Sequence, residues 1–249
     1  MTKQPLISVI TVTYNASGTL PLTMRSVAEQ TFDDFEHLVV DGASADDTIM
    51  VARQMGRDNL RITSEPDQGL YDAMNKSLRL ARGRYILFLN AGDRFHSADT
   101  LAAYAEAIQK GKPDIIYGDT DIVSADGRRI GPRHLKAPGI LTFDSFSHGM
   151  LICHQAFMVR KQIAPPYDTD YRFSADYDWV IRCIRASRPG SRVNLRRVTI
   201  DYLADGMTDR NKKASLAERF RIMAQHYGMM QAIARHIGFI PRMLRRGKL

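Results

Sequence analysis

At 249 residues and 28.1 kDa, the chain is long enough to bury a core without covalent staples, as one or two domains. Its composition, 44% hydrophobic and 25% charged with 17 Gly and 10 Pro, excludes collagen-like, disordered and membrane-spanning chains. The formal net charge of +8 lies in the tail: residues 206–249 carry ten Lys or Arg against Asp209 and Glu218, whereas residues 1–205 hold twenty-five of each sign. A neutral body with a basic end points to an enzyme whose tail faces a polyanion, either a membrane surface or nucleic acid. Cys153 and Cys183 lie thirty residues apart without a CxxC or zinc-finger spacing, so neither a metal cage nor a disulfide framework is indicated. No signal-peptide pattern and no membrane-length apolar run occurs, and the expected location is cytoplasmic.

In chain order, Leu6 to Tyr14 is a β-branched apolar run stopped by Asn15-Ala16-Ser17-Gly18, the pattern of a buried strand. A helix is predicted from Thr19 to Gln30, a strand from Phe35 to Val40, and a helix opened by Asp46-Asp47-Thr48 and running through Met55. A third strand (Leu60 to Ser64), a helix (Leu70 to Ala81) and a fourth strand (Tyr85 to Leu89) follow. The alternation predicts a Rossmann-like, mostly parallel sheet with helices on both faces. After a helix near Thr100 to Lys110 the pattern changes to a mixed half, with separate strands predicted at Asp114 to Tyr117, Thr120 to Val123 and Gly149 to Val159. A helix from Ala175 to Ala186, strand structure near Arg192 to Leu203 and one long amphipathic helix from Ala214 to His236 complete the expectation.

In such sheets ligands collect beyond the carboxyl ends of the strands. Those ends carry Asn15, Asp41, Glu65 to Gly69 and Asn90 to Asp93. A carboxylate exposed at the Asp93 turn suits Mg²⁺ or Mn²⁺ held against a diphosphate, although a turn Asp capping its own backbone is an equal reading. Asp41 could accept from a base or ribose, or serve as a turn acid. Asp72 and Asn75 are three apart on one helical face, and Glu65, Asp67 and Asp72 could also be helix-start acids. Asp119, after the run Asp114 to Gly118, could meet an acceptor sugar.

The ordered motifs SVITVTYN, VVDGAS with ADDT, SEPDQGLYDAMN and RGRYILFLNAGD resemble the nucleotide-binding half of family 2 glycosyltransferases, closely over Leu6 to Leu101 and more loosely beyond. The forms EPDxGxYDAMN and LNxGD resemble the branch that builds colanic acid and other bacterial exopolysaccharides. The resemblance implies the GT-A fold, with residues 1–210 as the catalytic domain (1–101 for the nucleotide sugar, 102–210 for the acceptor) and 211–249 as a basic helical tail. It implies donor contacts from Thr13, Tyr14, Asn15, Asp41, Asp67, Gly69, Asp72, Asn75, Asn90, Ala91 and Gly92, and Mn²⁺ or Mg²⁺ on Asp93. Gly42 stands where the family often has a second acid, and only Asp93 remains of an Asp-x-Asp-Asp metal motif. Asp176 in FSADYDW matches the acid that serves as base, with Ala175 replacing its acidic neighbour. A carboxylate in the first turn, with Ser174 as a plausible N-cap, would be kept ionised. Asp178 is the rival, but two helical residues are about 200° apart, so only one can face the cleft. His154 and Gln155, read in a strand, could position the acceptor or a phosphate; a satisfied core histidine is the competing reading.

The activity implied is inverting transfer from a nucleotide-diphosphate sugar, UDP before GDP, to a lipid-linked saccharide in exopolysaccharide, capsule or lipopolysaccharide synthesis. In the tail, Phe220, Met223, Tyr227, Met230, Ile233, Ile237 and Ile240 recur at helical steps among arginines, which suits a helix on an anionic membrane face, or, for its first half, a helix packed on the core. Asp205-Gly206-Met207-Thr208 partly resembles a loop that closes over the donor. Two other classes fit less well. A sugar nucleotidyltransferase calls for a Gly-rich loop with Arg and Lys, which TVTYNASGTL lacks. A non-catalytic polyanion-binding module has against it an acidic crevice and a tail poor in aromatics, so no nucleic-acid partner is expected. The oligomeric state is left open by the sequence.

Overall fold

The computed structural model describes residues 4–204 and 212–244, with side chains described only to 237 in the last helix. The lid motif at 205–208 lies outside the described residues. The elements are β1 (Ile7–Thr13), α1 (Leu20–Ala28), β2 (Phe35–Asp41), α2 (Thr48–Met55), β3 (Leu60–Ser64), α3 (Leu70–Leu80), β4 (Tyr85–Phe88), β5 (Arg94–Phe95), α4 (Thr100–Gly111), β6 (Ile115–Val123), β7 (Arg129–Pro132), β8 (Phe157–Arg160), α5 (Ala175–Ala186), β9 (Arg192–Leu203), α6 (Lys212–Tyr227) and α7 (Met229–Leu244).

One nine-stranded sheet runs in the order β3-β2-β1-β4-β8-β6-β9-β5, with β7 added to β6. β1 pairs in parallel with β2 and β4, and β2 with β3. Every residue of β1 and β2 is buried, which explains why β1 reads as an apolar and β-branched run and why the polar Glu36 and His37 of β2 are internally hydrogen-bonded. The order reverses at β1, so the turns after β1 and β4 flank the switch point where a doubly wound sheet opens a ligand crevice. Beyond β4 the sheet becomes mixed: β8 is antiparallel to β4 and β6, whereas β6 and β9 are parallel. The mixed α/β architecture expected from the sequence is thus present.

Four local expectations are corrected. The two runs around Gly118 form the single strand β6, because pairing with β9 continues across register shifts near Asp119. The run from Gly149 to Val159 is strand only from Phe157; His154–Ala156 form a 3-10 turn, so His154 and Gln155 sit before the strand. β5 and β7 are additional strands too short for a periodic signal. The tail is two helices, broken at Gly228, whose φ of +89° is readily available to glycine.

Helix α6 packs on the body, with Ile222 and Met223 buried and Phe220 and Tyr227 against the core. Helix α7 buries Ala232 but leaves Met230 82% and Ile237 62% exposed, so the apolar row read in the tail divides between a docked helix and an exposed one. No helix among the described residues is long and apolar enough to cross a membrane.

Candidate functional site

The turn after β4 carries Asp93 inward. Gly92 has φ +100°, and a Cβ there would meet Leu203 Cδ2 at 2.7 Å, so glycine permits both the turn and the approach of β9. Asp93 is 4% exposed, contrary to the exposed carboxylate expected. Its Oδ1 accepts from the Leu203 amide at 2.9 Å and its Oδ2 from Gln155 Nε2 at 2.7 Å. Burial pushes its pKa up to about 7, against the opposing pull of those donors and of His154.

Asp176 starts the opposite wall. Ser174 occupies the N-cap position of α5 without capping it; its hydroxyl instead meets the Ser215 hydroxyl of α6 at 2.9 Å. Glu218 accepts from the amides of Arg172 and Phe173 at 2.8 and 2.9 Å, so α6 holds the segment that leads into α5. The Asp176 carboxylate is 19% exposed and lies 3.4 Å from His154 Nδ1. It also accepts from Tyr71 Oη at 3.3 Å and from the Tyr177 amide at 2.9 Å. Burial raises its pKa, but the His154 bond, the charges of His154 and Arg219, and the Tyr177 amide outweigh it, so the group is held below the usual carboxylate range. Asp178 turns away, bonding His226 Nε2 at 2.7 Å and Arg182 Nε at 2.6 Å.

His154 links the two walls. Asn90 Nδ2 lies 3.3 Å from His154 Nε2; with the amide in this orientation the imidazole proton is on Nδ1, facing Asp176. The same orientation leaves Asn90 Oδ1 buried without a partner. An orphaned carbonyl oxygen in the same turn as a buried carboxylate makes a hard-oxygen donor set that fits Mg²⁺ or Mn²⁺, which take few protein ligands when a diphosphate completes the shell. A second candidate group, His96, Asp121 and Asp201, has its ligand atoms within 4.8 Å of one another. Its carboxylates are already paired with Arg129 and Arg94, which meets their charge.

The remaining expected donor residues divide into two kinds. Tyr14 is 67% exposed beside the switch point, and Asp67 and Gly69 lie in the loop before α3, where Asp67 Oδ1 accepts from the Gly69 amide at 2.8 Å. A Cβ on Gly42 would lie 2.4 Å from Asp67 Oδ2, so the Asp67 carboxylate fills the space beside residue 42, where the family pattern has its second acid. Asp41 is instead fully committed: it accepts from Thr13 Oγ1, the Ser44 amide, Ser44 Oγ and Ser64 Oγ, closing the ends of β1, β2 and β3. Asn75 bonds both main-chain groups of Tyr167, and Asn15 is engaged with Ser44 and Ala45. Asp72 accepts from the Gln68 amide, at the start of α3. Asp119 sits within β6 and accepts from the Ala137 amide, so it is not a free crevice-edge acid. Two residues of the site were missed: Tyr71, legible in the YDAMN motif but read only as part of a helix, and Arg219, which no spacing connects to Asp176.

Comparison with known proteins shows the family and the fold. Residues 8–164 match the sequence model of the family described as Glycosyl transferase family 2. A PGL/p-HBAD biosynthesis glycosyltransferase of Mycobacterium tuberculosis is 39% identical over 187 residues, covering 72% of this chain and 70% of the relative. The putative teichuronic acid biosynthesis glycosyltransferase TuaG of Bacillus subtilis is 30% identical over 163 residues, 64% of each chain. Among solved structures, S. aureus TarS 1-349 in complex with UDP-GlcNAc superposes with a TM-score of 0.70 at 18% identity, covering 94% of this chain and 73% of that one. The mannosyltransferase PcManGT of Pyrobaculum calidifontis, in complex with GDP-Man and Mn²⁺, gives 0.62 at 16% identity, covering 96% and 76%. These structures share the fold.

Proposed function

The chain belongs to glycosyl transferase family 2, and from that premise we propose that it transfers a sugar from a nucleotide-diphosphate donor to an acceptor hydroxyl with inversion. The observation that carries this reading is the carboxylate pair: Asp176 is depressed and partly open, Asp93 is buried and raised to about 7, and His154 lies between them. Carboxylates pushed apart in this way serve different roles. Asp176 accepts the proton of the acceptor hydroxyl as its oxygen attacks the anomeric carbon opposite the leaving diphosphate. His154 donates to Asp176 and keeps it ionised. Asp93 and Asn90 Oδ1 would hold a divalent ion, Mn²⁺ or Mg²⁺, whose charge offsets that of the donor diphosphate. Tyr14 and Asp67 contact the nucleobase or ribose, UDP before GDP, while Asp41 shapes the strand ends behind them.

We assign residues 1–101 to the donor side and 102–210 to the acceptor side, with 211–249 as the tail. The relatives named above are described as glycosyltransferases of PGL/p-HBAD and of teichuronic acid biosynthesis, which supports a saccharide or lipid-linked saccharide acceptor. The exposed apolar row of α7 and the basic surplus of the tail support peripheral attachment to the inner face of an anionic membrane.

The test is thermal unfolding with UDP, GDP, dTDP or CMP, with and without Mn²⁺, on the parent and Asp93→Ala. A ligand at 100 times its Kd stabilises the folded state by about 2.7 kcal/mol. Metal-dependent stabilisation by one nucleotide, lost in the variant, is expected. A melting temperature indifferent to every nucleotide would refute the donor site.

A further inference from the structure

Two guanidinium groups that act on Asp176 form no ion pair with a carboxylate among the described residues, whereas several arginines elsewhere do. Arg61, Arg94, Arg182 and Arg188 each pair with a buried carboxylate. Arg133, on the segment after β7, donates only to neutral carbonyls: those of Leu135 and Leu151 at 3.2 Å each and that of Met150 at 2.7 Å. Among the described residues no carboxylate forms an ion pair with it.

Arg219 is more exceptional. It lies on α6, four residues after Ser215 and three before Ile222, on the stripe those two buried residues mark. Ser215 is bonded to Ser174 and Glu218 to the two amides preceding it, so this stripe is turned toward the start of α5, where Asp176 sits. The Nε of Arg219 is buried and has no acceptor. The two guanidinium charges act on each other, and both act on Asp176, whose carboxylate is already engaged with His154, Tyr71 and the Tyr177 amide.

Two partly buried cations that share one carboxylate, itself engaged elsewhere, leave positive charge unmatched at this site, and such charge is costly. Such an arrangement persists where an anionic ligand completes it, and a guanidinium fork suits phosphate oxygens. We propose that Arg219, with Arg133 beside it, forms a phosphate- or pyrophosphate-binding subsite next to Asp176. The inference rests on the glycosyltransferase reading for its two sources of that chemistry: the donor diphosphate, or the phosphate that joins an acceptor sugar to its lipid.

The experiment is calorimetric titration of the full chain and of Arg219→Gln and Arg219→Lys. The probes are inorganic pyrophosphate and farnesyl phosphate, each in EDTA, and UDP in Mn²⁺. Because the Nε of Arg219 has no acceptor among the described residues, the variants should melt close to the parent. Pyrophosphate affinity should fall at least tenfold in Arg219→Gln and less in Arg219→Lys. A parallel loss for UDP identifies the donor diphosphate as the source, and a parallel loss for farnesyl phosphate alone identifies the acceptor phosphate. Pyrophosphate binding that is equal in parent and Arg219→Gln, or absent from the parent, overturns the subsite; normal UDP binding in the same samples leaves the donor site intact. Arg219-dependent pyrophosphate binding with no UDP binding by the parent would keep the subsite and refute the donor reading.

Discussion

Replacing Asp176 or Asp178 with Asn, two residues apart on α5, should give different phenotypes. Asp178 is 2% exposed and bonds His226 Nε2 at 2.7 Å and Arg182 Nε at 2.6 Å, the histidine side chain being 4% exposed. Asp178→Asn leaves both partners without their anion. Breaking a buried pair costs about 3–5 kcal/mol, and the partly open Arg182, 27% exposed, argues for the lower end, about 3 kcal/mol. For a chain of this size that lowers the melting temperature by roughly 6–12 °C. The pH dependence has a definite sign. Burial opposes the Asp178 charge, but the His226 and Arg182 bonds outweigh it and its pKa is lowered. Its contribution is therefore present above the unfolded carboxylate range and disappears as pH falls through the folded value, so parent and variant should converge in acid. Asp176→Asn removes a charge that burial disfavours but that His154, Arg219 and the Tyr177 amide more than offset. The melting temperature should therefore fall, though by less than for Asp178→Asn, because Asp176 is more open and has no arginine ion pair among the described residues. Sugar transfer, read as UDP release in the presence of acceptor, should fall by about 10²–10⁴-fold, the usual worth of a general base. Full turnover in Asp176→Asn, or loss of turnover in Asp178→Asn at an unchanged melting temperature, would refute the assignment.

Three further outcomes are expected. Gly42→Ala forces the Asp67 carboxylate aside, so it should weaken UDP about tenfold, Asp67→Ala should do the same, and the double variant should lose no more; additive losses in calorimetry would show that the two positions are independent. His37 is buried and desolvation pushes its pKa down to about 4 from an ordinary 6.5, so the folded state resists protonation. Stability is then full above pH 6.5 and falls by about 3 kcal/mol as pH drops toward 4; urea midpoints that stay flat across that window, or that fall equally in His37→Gln, would contradict this. Met230→Glu with Ile237→Glu should abolish co-sedimentation with anionic vesicles without changing the melting temperature, because both side chains are exposed; sedimentation equal to the parent would exclude this face as the contact.

Much of this molecule was legible because its first half is local and repetitive. β1, β2 and β4 are buried on both faces; β1 and β4 read as runs rich in apolar and β-branched residues and β2 as the run Leu38-Val39-Val40 behind Glu36 and His37, and their ends are marked by turn residues, so the crevice follows from the strand boundaries alone. The rotation between Asp176 and Asp178 is likewise a local property of the helix, and the two side chains do diverge. Legibility fails where a residue's role depends on what else competes for its atoms. Asp41 and Asp93 occupy equivalent strand ends and look alike in sequence, yet Asp41 meets four internal donors while Asp93 meets two and shares its turn with an orphaned oxygen. That difference is set by Ser44 and Ser64 on one side and by the end of β9 on the other, the latter 110 residues away.

The tail illustrates the same limit from the other direction. Periodicity carried an apolar row smoothly from Phe220 to Ile240, but a row cannot reveal that one glycine divides it or that its first half docks against α5. That docking changes what α6 is for. Ser215 and Glu218 hold the segment before Asp176, His226 bonds Asp178, and Arg219 adds its charge on the cleft side. The basic surplus that composition alone assigns to a surface-facing tail thus divides: Arg219 lies on the inner side, toward Asp176, and in the proposed function the surplus beyond α6 is the part that faces the membrane. Neutralising Arg219 should therefore alter phosphate affinity and leave vesicle binding untouched, while charge reversal on α7 should do the opposite; coupling between the two readouts would mean that the tail acts as one element after all.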